Sequence, residues 1–409
     1  MLQKTIFSIL FICLSKNITS QITWILNKDS ITTYYYNDGD EFEESTLNTT
    51  KWKYWYGWCR SIPHQQEKQY YTDGKNQELK NGYLNLFAKR EKINARLVDW
   101  LPDSDSIKIG ENKFNGFNKR SFNYTAGMIQ SETKYKYGYF EIKFKIPKEG
   151  GYWPAFWLYG GTPNEEIDWM ELKTEDYNAI HVGRHSKKRD ENKLRGFILK
   201  KWWGGNVYFK GDLRNGYNII SGEWTPEYLK YFLNGECISY TKIKLSEEKV
   251  LCANIAVPSN NGPFKPGPDT NIIQSGNFEI DYIRVWNKEK SKLNPFPIIM
   301  YNNKTDTIAQ TTLKSKTRFL YGKRSDHVNE GIIVSLTPYM NTYNLQVLGK
   351  NIPKSASYKI VNTQNQIVIQ SYLKYGNTII PINNNELKKL ELIIECYDKT
   401  IHYELPNFQ

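Results

Sequence analysis

Tyr137-Gly138-Tyr139-Phe140-Glu141-Ile142-Lys143-Phe144-Lys145-Ile146 alternates without a break, with Phe140, Ile142, Phe144 and Ile146 on one face. That period of two is the mark of a strand with one side in a core. Similar runs lie on either side. Gly82-Tyr83-Leu84-Asn85-Leu86-Phe87-Ala88 precedes it, Trp153-Pro154-Ala155-Phe156-Trp157-Leu158 follows, and Phe278 to Trp286 closes the series. Gly, Asn and Asp punctuate the runs, and long amphipathic helices are absent. So many strands over some 260 residues imply two stacked antiparallel sheets. The fold class expected is all-β: a β-sandwich, with a smaller C-terminal β-sandwich module.

Twenty residues beyond that run stands Glu166-Ile167-Asp168-Trp169-Met170-Glu171. In a regular strand Glu166 and Asp168 share a face and Glu171 takes the other. One bulged residue restores Glu171 to the first face. Three carboxyls would then converge, which is unfavourable unless one holds a proton. Acids alternating with apolar residues also describe an ordinary half-solvated strand. The functional alternative is a paired-carboxylate hydrolase, with one acid as nucleophile and one as proton donor. Glu165 falls on the opposite face and is expected to be a bystander.

The chain has 409 residues, which implies two domains. The formal charge of +12 favours anionic partners. No zinc-finger spacing and no dense Lys/Arg block accompany it, so nucleic acid is not expected. A general bias toward Lys explains the charge equally well. Aromatics make up 15% of residues, enough for stacking surfaces as well as core. Cys13, Cys59, Cys237, Cys252 and Cys396 form no CxxC pair, so no metal or redox motif is expected, and no cofactor.

Residues 1–21 read as a secretory signal peptide, with Lys4 before an apolar core from Thr5 to Leu14. No other stretch could cross a membrane as a helix. The expected protein is therefore secreted, at the cell surface or periplasmic, and a monomer. Residues 22–290 are assigned to the catalytic sandwich. Residues 291–324, with Pro295, Pro297 and Asn302-Asn303-Lys304-Thr305-Asp306, read as a linker. Strands resume over 325–409, a small β-rich module that could bind polysaccharide, act as a spacer or serve as a sorting tail. If it is a spacer or sorting tail, truncation near 290 should leave activity on soluble substrate unchanged.

The motifs in order resemble glycoside hydrolase family 16: Thr125-Ala126-Gly127-Met128-Ile129-Gln130-Ser131, Tyr137 to Glu141, Trp153 to Leu158, Glu166 to Glu171, Glu223-Trp224-Thr225-Pro226, Tyr231-Phe232-Leu233-Asn234-Gly235, and Ile280 to Val285. The resemblance spans roughly residues 35 to 287, in the bulged-signature branch of laminarinases, agarases and carrageenases. It implies a retaining endo-glycosidase with Glu166 as nucleophile, Glu171 as general acid/base and Asp168 as the helper that bonds the nucleophile. It also implies a polysaccharide partner and a curved β-jelly-roll sandwich of the concanavalin A-like kind, with a cleft across its concave face. Trp153 and Trp157 resemble cleft-floor aromatics, whereas Phe156, opposite in parity, is expected in the core. His181 is a candidate substrate contact, ahead of His185. Asn118, Arg184, Trp202 and Trp203 are candidate cleft residues. A β-1,3- or β-1,3/1,4-glucan is the substrate expected. A sulfated algal galactan is the alternative, with Arg60, Arg120, Arg184 and Arg189 as candidate sulfate partners. A carbohydrate-binding protein without catalysis would show a damaged acid trio, and here all three acids stand.

Overall fold

The computed structural model describes residues 21–105, 116–160, 165–186, 202–267, 276–289, 308–309, 312–313, 318–321, 331–339, 342–381 and 389–405. The signal-peptide stretch, most of the expected linker and Arg189 lie outside them. Among the described residues there is no α-helix; a single 3-10 turn, Pro63–Gln65, interrupts the strands. All-β character follows from the alternating pattern, as expected.

Two large sheets face each other. The run from Tyr137 to Ile146 becomes the strand Gly138–Lys145, near the centre of the larger sheet, bonded to Asn218–Trp224 on one side and Gly276–Asn287 on the other. Its Phe140, Ile142 and Phe144 are buried in the core between the sheets. The smaller sheet runs in the order Trp202–Lys210, Ala179–His185, Glu165–Glu171, Trp153–Gly160, Lys249–Ala256 and Met128–Tyr135. Its Phe156, Leu158, Ile167, Val182 and Leu251 meet the larger sheet from the other side. Asn234 and Gly235 both take positive φ, 49° and 79°, and close a tight hairpin between Tyr228–Leu233 and Glu236–Lys242.

The C-terminal strands stack a four-stranded sheet on an extension of the larger sheet. Ile332–Tyr339, Ser357–Asn362, Ile367–Tyr372 and Leu390–Cys396 are among the strands of the 325–409 stretch. The strand Ile22–Leu26 is the surprise. Counted by sequence position with the catalytic sandwich, it pairs on one edge with Ile31–Asp40 and on the other with Ile332–Tyr339. Ile22, Trp24 and Leu26 are buried in the C-terminal core beside Val334, Leu345 and Ile360. Ile25 points the other way, into a cluster with Tyr34, Tyr139 and Trp286 of the catalytic sandwich. Alternation lets one strand serve two cores. The structure thus moves this strand to the seam between the units. Cys59, Cys252 and Cys396 are buried free thiols.

This seam changes what truncation should do. Ending the chain after Glu289 strips Ile22, Trp24 and Leu26 of their cover, and each such side chain contributes roughly 1.5–3 kcal/mol when buried. The truncated protein is expected to lose several °C of Tm and to aggregate. A thermal melt matching that of the full chain would contradict this packing.

Candidate active site

The strand Glu165–Glu171 lies between Trp153–Gly160 and Ala179–His185. Met170 faces Phe156, yet Asp168 faces Trp157, so Trp169 is an extra residue on the acid strand. On the other edge the register shifts at the same place, with Asp168 opposite Gly183 and Glu171 opposite His181. Trp169 and Met170 are both fully buried in the core. The bulge so produced returns Glu171 to the face of Glu166 and Asp168, as strand parity requires. Trp169 packs between Phe140, at 5.9 Å between ring centroids, and Tyr231, at 5.2 Å. It lies directly over Gly222, where a Cβ would come within 2.2 Å of the indole.

The acids form two groups. Glu166 and Asp168 share a hydrogen bond. His185 Nε2 stands 3.8 Å from Glu166 Oε1 and 3.7 Å from Asp168 Oδ2. At the other end, Trp153 Nε1–H donates to Glu171 Oε1 at 3.2 Å, and His181 Nε2 lies 4.0 Å from Glu171 Oε2. His181 Nδ1 is 2.9 Å from Asn206 Oδ1. With Nδ1–H donating there, Nε2 is left as an acceptor toward Glu171.

Burial, followed by the negative charge of Asp168, pushes Glu166 and Glu171 well above the usual carboxylate range. Burial pushes Asp168 up to about 6. His185 is pushed down to about 4 by burial and then by His181 and Arg184, so it is a neutral imidazole near pH 7. Burial lowers His181 as well. Both glutamates therefore bind a proton more tightly than a free carboxyl does, Glu166 beside Asp168 and Glu171 apart from it. Environments that separate a charged carboxylate from a protonated one are what acid/base hydrolysis needs. Glu166, Asp168 and His185 also offer ligand atoms within 4.8 Å of one another, the single such grouping among the described residues.

The expected aromatics face the acids but are largely covered. Trp153 is 8% exposed, because Phe264 stacks on it at 4.3 Å with an 18° tilt. Phe264 also meets His181 edge-on at 5.8 Å. Trp157 donates its indole N–H to Asn254 Oδ1 at 2.8 Å and is 7% exposed. Phe156 is in the core, as expected. The half-buried rings beside Glu166 are instead Tyr159, its partner across the strands, and Trp58, 4.5 Å from Tyr159. Sequence reasoning missed Phe264, Tyr159 and Trp58. Tyr159 was readable by parity from Trp157, whereas Phe264 and Trp58 sit in irregular segments.

Five other expectations are corrected. Asn118 is fully buried and its side chain bonds Val98 N, Val98 O and Leu101 O, so it pins a loop and does not line the cleft. Arg184 pairs across the strands with Ile167 and Trp203, both core residues, and is 4% exposed on that inner side. Trp203 is likewise in the core; the side chain of Trp202 lies outside the described residues. His185, placed behind His181, is the histidine that faces two of the acids. Glu165 does face away from the trio, but it is far from idle: it makes a 2.7 Å ion pair with Lys249, both wholly buried.

Beneath the cleft runs a hydrogen-bonded chain. From Trp157 it passes to Asn254, whose Nδ2 donates to Tyr71 OH at 3.0 Å. Tyr56 OH lies 3.4 Å from Tyr71 OH and donates to Glu67 Oε1 at 3.0 Å. Burial pushes Glu67 up to about 7.

Residues 64–260 match the model of the family described as glycosyl hydrolases family 16. The β-glucanase of Rhodothermus marinus is 27% identical over 212 residues, covering 48% of this chain and 61% of the relative. The glucan endo-1,3-beta-glucosidase A1 of Niallia circulans is 24% identical over 283 residues, 61% of this chain and 37% of that protein. The endo-1,3-1,4-beta-glycanase EglC of Rhizobium meliloti is 21% identical, over 65% of this chain and 54% of its own length. The alignments thus span only about a third to a half of several curated relatives. The solved endo-beta-1,3-glucanase of Pyrococcus furiosus superposes with a TM-score of 0.50 at 22% identity, over 65% of this chain and 99% of that one, which establishes the shared fold.

Two measurements check this geometry. Gly222→Ala forces Trp169 to move, and overpacking of this kind costs about 1–3 kcal/mol; chemical denaturation should show the loss, and unchanged stability would contradict the contact. Glu67 tests burial by pH. Its folded pKa of about 7 exceeds the ordinary 4.5, so the folded state binds the proton more tightly than the unfolded one. Stability must then fall as pH rises from 4.5 through 7. Glu67→Gln removes that slope, so relative to wild type it gains about 3 kcal/mol across the window. Parallel pH–stability curves would refute the assignment.

Proposed function

We propose that this chain, whose residues 64–260 form a family 16 glycosyl hydrolase domain, is a secreted, endo-acting, retaining β-glycanase cutting a β-1,3- or β-1,3/1,4-glucan. The observation that carries the reading is the acid strand: three carboxyls on one face, split into a hydrogen-bonded pair and a separately held Glu171 whose hold on a proton is strengthened by burial. Export rests on the leader-like segment at residues 1–21.

In the first half-reaction a Glu166 carboxylate oxygen attacks the anomeric carbon. The glycosidic C–O bond breaks and Glu171 passes its proton to the departing oxygen. For Glu166 to attack as a carboxylate, the proton it shares with Asp168 must pass to Asp168 through their hydrogen bond. Trp153 orients Glu171 through its indole N–H, and His181 faces the same carboxyl. In the second half-reaction Glu171, now a carboxylate, takes a proton from water. The resulting hydroxide attacks the anomeric carbon and expels Glu166. Two inversions give net retention.

The glucan is favoured over a sulfated galactan by where the arginines go. Arg184 is on the inner side of its strand. Arg60 is 5% exposed, paired with Asp73 at 2.8 Å and Asp99 at 2.6 Å, and lies over the Trp55 ring. Neither offers a guanidinium to a sulfate in the cleft. The relatives named above as glucanases point the same way.

Glu166→Gln should lower reducing-sugar release from laminarin or lichenan by at least about a thousandfold, on the order expected for loss of a nucleophile, with Tm preserved. NMR of the wild-type product should show the β-anomer first. Undiminished hydrolysis, or an inverted anomer, would sink the mechanism. Turnover of porphyran or carrageenan with none of laminarin or lichenan would overturn the substrate.

A further inference from the structure

On the far side of the sandwich from the acids, the outer face of the larger sheet carries a cavity of ≈ 450 Å³. A ladder of polar residues crosses it: Glu78 pairs with Asn85, Asn85 with Glu279, and Glu279 with Lys145. These alternate along their strands with core residues such as Leu84, Leu86, Phe278 and Ile280, so they point outward. Rings stand at both ends. Tyr83 stacks on Tyr217 at 5.7 Å with a 22° tilt. Phe87, four residues further along, is about 13 Å away by strand rise. The span fits one or two pyranose rings.

The floor is arranged to receive hydroxyls. Asn277 Nδ2–H donates to Asn85 Oδ1 at 2.9 Å. Asn277 Oδ1 is buried and has no donor among the described residues. Glu279 Oε1 accepts from Tyr217 OH at 2.5 Å and lies 3.5 Å from Lys145 Nζ. Two carboxylates, Glu78 and Glu279, balance Lys80 and Lys145, so the site favours neither an anion nor a cation. A buried acceptor without a donor, aromatic walls and balanced charge together suit a neutral polyhydroxylated ring, whose C–H faces pack on aromatics while its hydroxyls bond amides and carboxylates.

We propose that this cavity is a second saccharide site, which holds a neutral polysaccharide without cutting it. Glu78 and Glu279 lie two strands apart on either side of Asn85, and Glu279 already accepts from Tyr217, so no acid/base pair faces a common bond. The site shares with the proposed function only the class of polymer, and the two can fail separately.

The test is affinity electrophoresis of the full chain through gels containing laminarin, lichenan or agarose, with Phe87→Ala and Asn277→Ala beside wild type. Hydrolysis of a short soluble oligosaccharide serves as the folding control in each. The expected result is retardation of wild type in at least one gel and a loss of threefold or more in retardation for both variants, with oligosaccharide turnover unchanged. Equal retardation of wild type and variants, or no retardation of wild type in any gel, overturns the proposal. Glu166→Gln carried through the same gels separates the sites: it loses turnover but should keep its retardation.

Discussion

Everything at the cleft depends on Trp169 being in the core. A plain strand could present Glu166 and Asp168 outward with Ile167 and Trp169 inward, but Glu171 would then follow Trp169 to the inside. Sending Met170 inward as well breaks the alternation once and brings Glu171 back out. The core accepts the two consecutive residues because Gly222 leaves room under the indole and Phe140 and Tyr231 flank it. The outward parity of the three acids is thus enforced from the opposite, core side of the sheet.

The same strand shows how low dielectric divides the labour among like groups. Asp168 is 2% exposed, and its charge acts on both glutamates. Because it bonds Glu166 and lies apart from Glu171, the pair and the single acid hold their protons differently. The neutral histidines complete the arrangement. A charged imidazole beside Glu166 would favour its ionisation, but it would also draw Glu171 toward losing the proton it must donate. Burial disfavours the charge on both rings, so neither draws protons away from the carboxyls.

Much of this was legible in the sequence, and the failures have physical causes. Strand alternation located the sheets and the bulge, while Trp153, Trp157 and His181 were named from the family resemblance. Applied to Arg184, the same rule turns it inward, since its chain neighbours Gly183 and His185 share the cleft face with His181; charge was allowed to outweigh parity. Asn118 was misplaced because an amide that caps a loop through three backbone bonds looks in sequence like any surface Asn. Phe264 comes from an irregular segment with no period to read. The seam strand escaped because its partner lies over three hundred residues away, as the contact of Thr23 Oγ1 with Ser335 Oγ, 312 positions apart, makes plain.

That separation has a consequence in time. During synthesis Ile22–Leu26 emerges long before its partner, and one of its edges and one of its faces stay unsatisfied until the strands at Ile332–Tyr339 and Thr342–Leu348 arrive. Loop-closure entropy makes such distant pairings late events. Until they arrive the chain carries an open apolar edge of the kind that recruits foreign strands. The last strands made are therefore the ones that shut that edge, so completing the fold and protecting its exposed flank are a single event.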